Sequence, residues 1–230
     1  MKKYYLITGG SSGMGYQISK KFLGEGCVVF ILSRTAESCD LKDKYSNCLT
    51  RNTDVSKIED IRNAFEWVVE RIGKNKLDGL INCAGIGHAT PLGKITESLY
   101  DKFYSVNVKG LIFVTKIFLP LIKKDGGIIC NFSSIAGIKG FSEWSLYCSS
   151  KYAVEGFSQS IKNELRKIGI RVVVIRPGSV DTPFYSYLKS EDKKDFIQPE
   201  TVADIVSTIF KIPPEANVED IFINNSVGDL

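Results

Sequence analysis

The amino-acid sequence predicts an α/β fold: a single doubly wound parallel sheet of about seven strands, with helices on both faces. Three observations lead there. Short apolar runs alternate with amphipathic segments from end to end of the chain, the pattern of β-α-β units. Most of the apolar runs are nearly continuous, as strands buried on both faces are. Crossovers between such strands are right-handed, which leaves a doubly wound sheet as the expected topology. The chain has 230 residues, of which 43% are hydrophobic and 24% charged. That length and composition suit one domain spanning residues 1–230.

Tyr4–Thr8 reads as the first strand. Met14–Glu25 reads as a helix with Ile18, Phe22 and Leu23 on one face, and Gly26 stands where it should end. Cys27–Leu32 is a second strand, and Cys48–Thr53 a third and weaker one. Ser56-x-x-Glu59 has the form of a capping box opening a helix to about Ile72. Leu77–Asn82 is the fourth strand. Two helices follow, Glu97–Val106 and Val108–Ile122, with Asn107 interrupting the pattern between them. Gly127–Phe132 is the fifth strand, Ser145–Ile168 a long helix and Arg171–Arg176 the sixth strand. Pro199, at a first helical position, opens a helix to about Lys211. Asp220–Asn224 closes the series as a short strand. The polar and aromatic stretch 182–198 falls at the carboxyl edge of the sheet, where ligands bind in such folds, and reads as a loop over a substrate. A plain surface connection is the alternative.

Composition excludes several functions. The net charge of +4 is mild and the lysines are scattered, whereas a nucleic-acid binder shows a concentrated basic stripe. Six cysteines form no C-x-x-C pair, and the lone histidine, His88, belongs to no cluster. A metal site is therefore not expected, and the cysteines read as reduced thiols. The run after Met1-Lys2-Lys3 is too short for a signal-peptide core. No stretch of the sequence reads as the roughly 20 apolar residues of a membrane span. The expectation is a cytoplasmic protein without membrane or nucleic-acid partners.

The first strand runs into Thr8-Gly9-Gly10-Ser11-Ser12-Gly13-Met14-Gly15, and a helix follows. Gly9 permits a tight turn, Gly13 lets backbone approach a pyrophosphate, and Gly15 lets helix pack on strand. Unpaired N–H groups and the helix dipole then face the anion. Glycines also serve ordinary turns, but this position, after a strand and before a helix, favours a dinucleotide. Past the second strand come Ser33 and Arg34. A dinucleotide site that holds free ribose hydroxyls carries Asp or Glu there. A guanidinium instead binds a 2′-phosphate, so NADP(H) is expected over NAD(H), with NAD(H) still admissible. The alternative is that Arg34 is a solvated surface charge.

Tyr147-Cys148-Ser149-Ser150-Lys151 is Y-x-x-x-K on a predicted helix, and four-residue spacing puts both side chains on one face. A tyrosine beside an ammonium is expected to lose its proton more readily, which suits general acid–base work. Taken alone the motif also fits any exposed helix. It is accompanied by Ser133-Ser134 at the end of the fifth strand, by Asn82-Cys83-Ala84-Gly85 at the end of the fourth, by Asn107, and by Pro177-Gly178 after the sixth.

With these motifs in this order, the chain resembles the short-chain dehydrogenase/reductase family over essentially its whole length. The resemblance implies a Rossmann-type domain. It implies that Thr8–Gly15 is the cofactor loop, including Thr8, Gly9, Ser11, Ser12, Gly13, Met14 and Gly15. Asp54 and Val55 would contact the adenine, and Asn82, Ala84 and Gly85 match an N-N-A-G segment in which Cys83 replaces the second Asn. Pro177, Gly178, Val180 and Thr182 would hold the nicotinamide carboxamide. Asn107, Ser134, Tyr147 and Lys151 match the catalytic tetrad, and the serine–tyrosine spacing favours Ser134 over Ser133. By resemblance, Tyr147 donates a proton to the carbonyl oxygen, Ser134 bonds that oxygen, Lys151 binds the nicotinamide ribose, and Asn107 holds a water of a proton relay. Met14 stands where Ile is common, and Ser12 where NADP enzymes often carry a basic residue, so the NADP preference rests on Arg34.

The implied activity is an NADPH-dependent oxidoreductase interconverting a carbonyl and an alcohol on a small molecule. A β-ketoacyl-thioester reductase and a sepiapterin-reductase-like enzyme remain open beside it. The thioester reading needs a basic rim for an acidic carrier, which Lys139, Lys189, Lys193 and Lys194 are placed to supply. Phe141, Trp144, Phe184, Tyr185 and Tyr187 suggest a moderately apolar substrate. A non-catalytic dinucleotide sensor or interaction protein is the rival outside the enzyme class. The family also implies a homodimer or homotetramer built by helix packing.

Overall fold

A computed structural model describes residues 2–228. Seven strands form one sheet: β1 (Tyr4–Thr8), β2 (Val28–Ser33), β3 (Cys48–Asn52), β4 (Gly79–Asn82), β5 (Ile128–Phe132), β6 (Arg171–Pro177) and β7 (Asp220–Ile223). Their order is β3-β2-β1-β4-β5-β6-β7, and every pair is parallel. The order reverses between β1 and β4, the switch point at which a doubly wound sheet opens a crevice beyond its carboxyl ends.

The helices divide between the two faces. α1 (Gly13–Gly24) and α7 (Pro199–Ile209) pack together on one face; α3 (Ile58–Ile72), α5 (Leu111–Phe118) and α6 (Ser145–Arg166) cover the other. α2 (Leu41–Lys44) is a single turn, and α4 (Glu97–Tyr104) leads towards α5. Alternate strand residues feed the two cores. Tyr5, Ile7, Val29 and Ile31 meet Ile18, Phe22 and Val206. Leu6, Phe30, Leu32 and Leu80 meet Ile61, Val68 and Phe118. Burying each such side chain contributes about 1.5–3 kcal/mol, which is why both faces of these strands are apolar in the sequence.

α1 ends as its glycine predicts. Gly26 has φ +80°, and the N–H groups of Gly26 and Cys27 turn back to the carbonyls of Leu23 and Phe22, both at 3.0 Å. α3 starts differently from expectation. The Ser56 hydroxyl donates to Asp54 Oδ1 (2.7 Å), Lys57 precedes the first helical residue, and the helix begins at Ile58 without a side-chain cap. The capping box does not form because the Asp54 carboxylate, two residues back, is the stronger acceptor and turns the serine away from the helix.

Asn107 was expected to separate two helices. Instead Ser105–Gly110 form a wider π turn joining α4 to α5, so that a helix runs continuously from Glu97 to Leu121. The joined helix is, by length and composition, apolar enough to cross a membrane, which corrects the expectation that no such stretch exists. Here its inner side, with Val114, Phe118 and Leu121, belongs to the core beneath the sheet.

Charged groups bind α6 to the sheet. Arg176 on β6 donates to both oxygens of Glu155 on α6, at 2.9 and 2.7 Å, and to Asp220 on β7 at 2.6 Å. Lys162, two turns further along α6, donates to the other Asp220 oxygen at 2.9 Å. The Arg176 and Glu155 side chains are 11% and 6% exposed. Removing one partner of such a pair strands the other charge out of water. Arg176→Ala is expected to lower the unfolding free energy by about 3–5 kcal/mol in urea denaturation, and Lys167→Ala, at the exposed end of α6, by less than about 0.5 kcal/mol.

Candidate active site

The turn from β1 into α1 is built on close backbone approach. Gly9 has φ +69°, and a Cβ there would sit 2.9 Å from the Ala84 backbone. A Cβ on Gly15 would stand 2.3 Å from the Gly9 carbonyl oxygen. Gly13 has φ +52° and lies against Thr182. No other residue type lets helix, turn and the strand beside it come this close. Ala84 N–H donates to the Thr8 hydroxyl at 3.2 Å, tying the end of β4 to the turn. The first turn of α1 carries no side-chain cap.

A cleft of about 410 Å³ opens over this turn. Gly9, Ser11 and Ser12 line one end, Ser33, Arg34, Asp54 and Val55 a side, and Ala84 and Gly85 the floor. The Ser33 hydroxyl donates to Ser11 Oγ at 2.7 Å, which draws the β2 end onto the glycine turn. Arg34 is exposed at the rim. Burial raises the Asp54 carboxyl, but two hydrogen bonds from Ser56, with Lys57 and Arg34 nearby, more than offset this and hold it below the ordinary carboxylate range.

Beyond Gly85 the cleft meets a narrow space of about 90 Å³ lined by Met14, Cys83, Ser134, Tyr147, Lys151, Pro177, Gly178, Val180 and Thr182. Tyr147 and Lys151 share one face of α6, as the spacing predicts. Lys151 Nζ donates to the Phe132 carbonyl at 2.9 Å and lies 5.6 Å from the centre of the Tyr147 ring. Burial pulls the Lys151 ammonium down to about 8. Burial also pushes the Tyr147 phenol above its ordinary value, against a hydrogen bond with Ser134 that acts in the opposite direction. The lowering expected from Lys151 is not seen, because loss of water is the largest influence on the phenol. Ser134 also accepts from Ala136 N–H at 3.1 Å.

Two predicted residues act from behind the wall. Asn107 Oδ1 accepts from Ile86 N–H at 2.8 Å, and its Nδ2 donates to the Ile86 carbonyl at 2.8 Å and to Ser150 Oγ at 3.0 Å. It thus locks the loop after β4 to α6. Asn82 turns into the core, where its amide donates to Thr115 and Asn131, both at 2.9 Å.

A second cavity, also about 410 Å³, adjoins Ser134 and Tyr147 and is walled by Phe141, Trp144, Tyr185, Tyr187 and Phe196. The 182–198 stretch forms much of it, and is itself anchored. Val180 bridges Ile197, and Asn225 Nδ2 donates to the Ser179 and Asp195 carbonyls at 3.0 and 2.9 Å. Sequence reasoning missed Asn225, the second of two adjacent asparagines after the last strand, and the Phe132 carbonyl, since any residue presents one. Ile86 had no signal beyond its closeness to Gly85.

A family model described as short chain dehydrogenase matches residues 3–193. The chain is 30% identical to a sepiapterin reductase of Chlorobaculum tepidum, with 100% of this chain and 99% of that protein covered. It is 38% identical to retinol dehydrogenase 16 of Rattus norvegicus over 76% of this chain and 56% of that one, so it spans just over half the length of the latter. Among solved structures, an alcohol dehydrogenase from Thermococcus sibiricus, complexed with 5-hydroxy-NADP, superposes with a TM-score of 0.88 at 25% identity, covering 98% and 97% of the two chains. The glycine turn, the Y-x-x-x-K face of α6 and the matched relatives agree, and the chain belongs to the short chain dehydrogenase family of oxidoreductases, whose members bind nicotinamide dinucleotides.

Proposed function

We propose that this protein is an NADPH-dependent reductase that converts a small-molecule carbonyl to an alcohol and, in reverse, oxidises the alcohol. The observation that carries the reading is the meeting of Ser134, Tyr147 and Lys151 at the inner end of the cleft that starts at the glycine turn. The residues present fit a dinucleotide. Glycines whose Cβ atoms would fill the turn leave backbone free for a pyrophosphate along Gly9–Gly15. Ser33 and Arg34 offer a hydroxyl and a guanidinium, and no carboxylate, at the end of β2, which suits a 2′-phosphate. Asp54 and Val55 would flank the adenine, and Pro177, Gly178, Val180 and Thr182 the carboxamide. When bound, the nicotinamide supplies or accepts the hydride.

The chain's own residues handle the proton. Burial keeps the Tyr147 phenol protonated at neutral pH, ready to give its proton to the carbonyl oxygen as negative charge grows there. Ser134 donates a hydrogen bond to that oxygen. Lys151 binds ribose hydroxyls with its ammonium. Asn107 holds Ile86 and Ser150, and acts on the reaction by fixing the loop and helix between which the reactants lie. Asn82 acts by fixing the end of β4. The 182–198 stretch covers the substrate. The whole-length match to a sepiapterin reductase favours a pterin ketone as the second reading.

NADPH and NADH oxidation over a panel holding a pterin ketone, a β-ketoacyl thioester, a diketone and an aryl aldehyde tests the proposal; bound cofactor with no turnover across a widened panel would favour a sensor. Tyr147→Phe is expected to cost at least about a thousand-fold in kcat while NADPH still binds by fluorescence titration. Arg34→Asp should weaken NADPH binding by about ten-fold or more and NADH binding little; equal losses would refute the phosphate role. A lysine held near 8 is charged below that pH and neutral above it. NADPH affinity should therefore fall as pH rises through about 8, and Lys151→Met should remove that slope.

A further inference from the structure

We propose that the cavity beside Tyr147 selects its substrate by charge, with Asp192 as the selecting residue. The favoured carbonyl compound is planar and carries a positive charge or N–H donors on the part furthest from its carbonyl, while an anionic compound is turned away. The inference rests on the reductase reading for its carbonyl end and goes beyond it in naming the substrate class.

The cavity, about 410 Å³, holds a molecule of one or two rings, and aromatic side chains form most of its wall. Asp192 is the one charged side chain among its lining residues. It is exposed at the solvent side, and no ion pair of Asp192 occurs among the described residues. Its Oδ2 accepts from Lys189 N–H at 3.3 Å, and no hydrogen bond to Oδ1 occurs among the described residues. The turn that bears it, Ser190–Lys193, is held at both sides: Lys193 Nζ donates to Asp181 Oδ1 at 3.2 Å, and Asn225 binds the Asp195 carbonyl.

The four lysines that would form a basic rim do not line the wall. Lys193 is committed to Asp181, and the Lys139 ammonium stands 5.5 Å from the centre of the Phe141 ring. An anionic thioester or its acidic carrier therefore meets a carboxylate and aromatic faces. Ring faces are the negative side of the aromatic quadrupole and attract cations as the carboxylate does. Both features act in the same direction, while Ser134 and Tyr147 receive the carbonyl at the other end.

The test uses the full chain with NADPH and three aryl ketones of one shape: 4-acetylbenzylamine (cationic), 4-methylacetophenone (neutral) and 4-acetylbenzoate (anionic). Calorimetric binding with NADP⁺ present and NADPH oxidation are both measured. The cation is expected to bind about ten-fold tighter than the anion. Asp192→Asn should bring the two within about two-fold and Asp192→Lys should invert the order. A preference unchanged in Asp192→Asn, an anion bound as tightly as the cation, or no binding of any of the three at millimolar concentration would overturn the inference. Turnover of the neutral ketone without charge preference overturns this inference alone. Charge-selective binding without turnover of any ketone supports the charge assignment and counts against the reductase reading.

Discussion

Lys151 carries its ammonium to a place only 6% exposed, where burial draws it down to about 8 and it donates to the carbonyl of Phe132, the last residue of β5. Stripped of water, a charge like this persists only where protein dipoles replace the solvent. The bond from α6 to the end of β5 supplies one. It also fixes how far along the helix Tyr147 stands from Ser134, which follows β5 by two residues. The geometry of the reacting end thus depends on where a buried cation is tolerated, and the Asn107 clamp on Ile86 and Ser150 holds the surrounding walls to the same helix.

The sheet explains why such groups meet at one edge. Parallel strands covered on both faces leave side chains free only at their ends, and the reversal of order between β1 and β4 parts the loops there. The glycine turn, the residues after β4 and those after β5 all emerge at that opening. On the same face of α6, one helical turn beyond Lys151, Glu155 accepts from Arg176 of β6, which also bonds Asp220 of β7. One helix therefore presents a nearly dry cation to the cleft and, one turn further along, a compensated ion network to the sheet.

The two large spaces differ in chemistry. The cleft over the glycine turn is rich in hydroxyls and backbone and has a guanidinium at its rim. The cavity past Tyr147 is aromatic and has a carboxylate at its mouth. On the proposed reading, the first would receive a polyanionic cofactor and the second a planar carbonyl compound. Loop 182–198 makes this division, and Asn225 anchors it from beyond the last strand.

Strand positions, the helix ends at Gly26 and Pro199, and the doubly wound class were legible in the sequence, because burial on two faces demands continuous apolar runs and local backbone geometry demands particular residues. The glycine turn and the Tyr147–Lys151 face were legible for the same local reason: turns and helical spacing act over a few residues. Tertiary structure alone decided the rest. Asn107 widens a helix and does not break it, because its amide finds Ile86 and Ser150, far off in sequence. Ser56 serves Asp54 and no helix cap, because a carboxylate competes for it. Tyr147 is raised and not lowered, because it is buried among neighbours such as Trp144 and Phe184. The sign of charge at the cavity was also beyond the sequence: lysines and carboxylates are interleaved over 181–195, and only the folded loop determined that Asp192 lines the cavity while Lys193 turns to Asp181. Desolvation and side-chain direction are set by neighbours distant along the chain, and no local pattern records them.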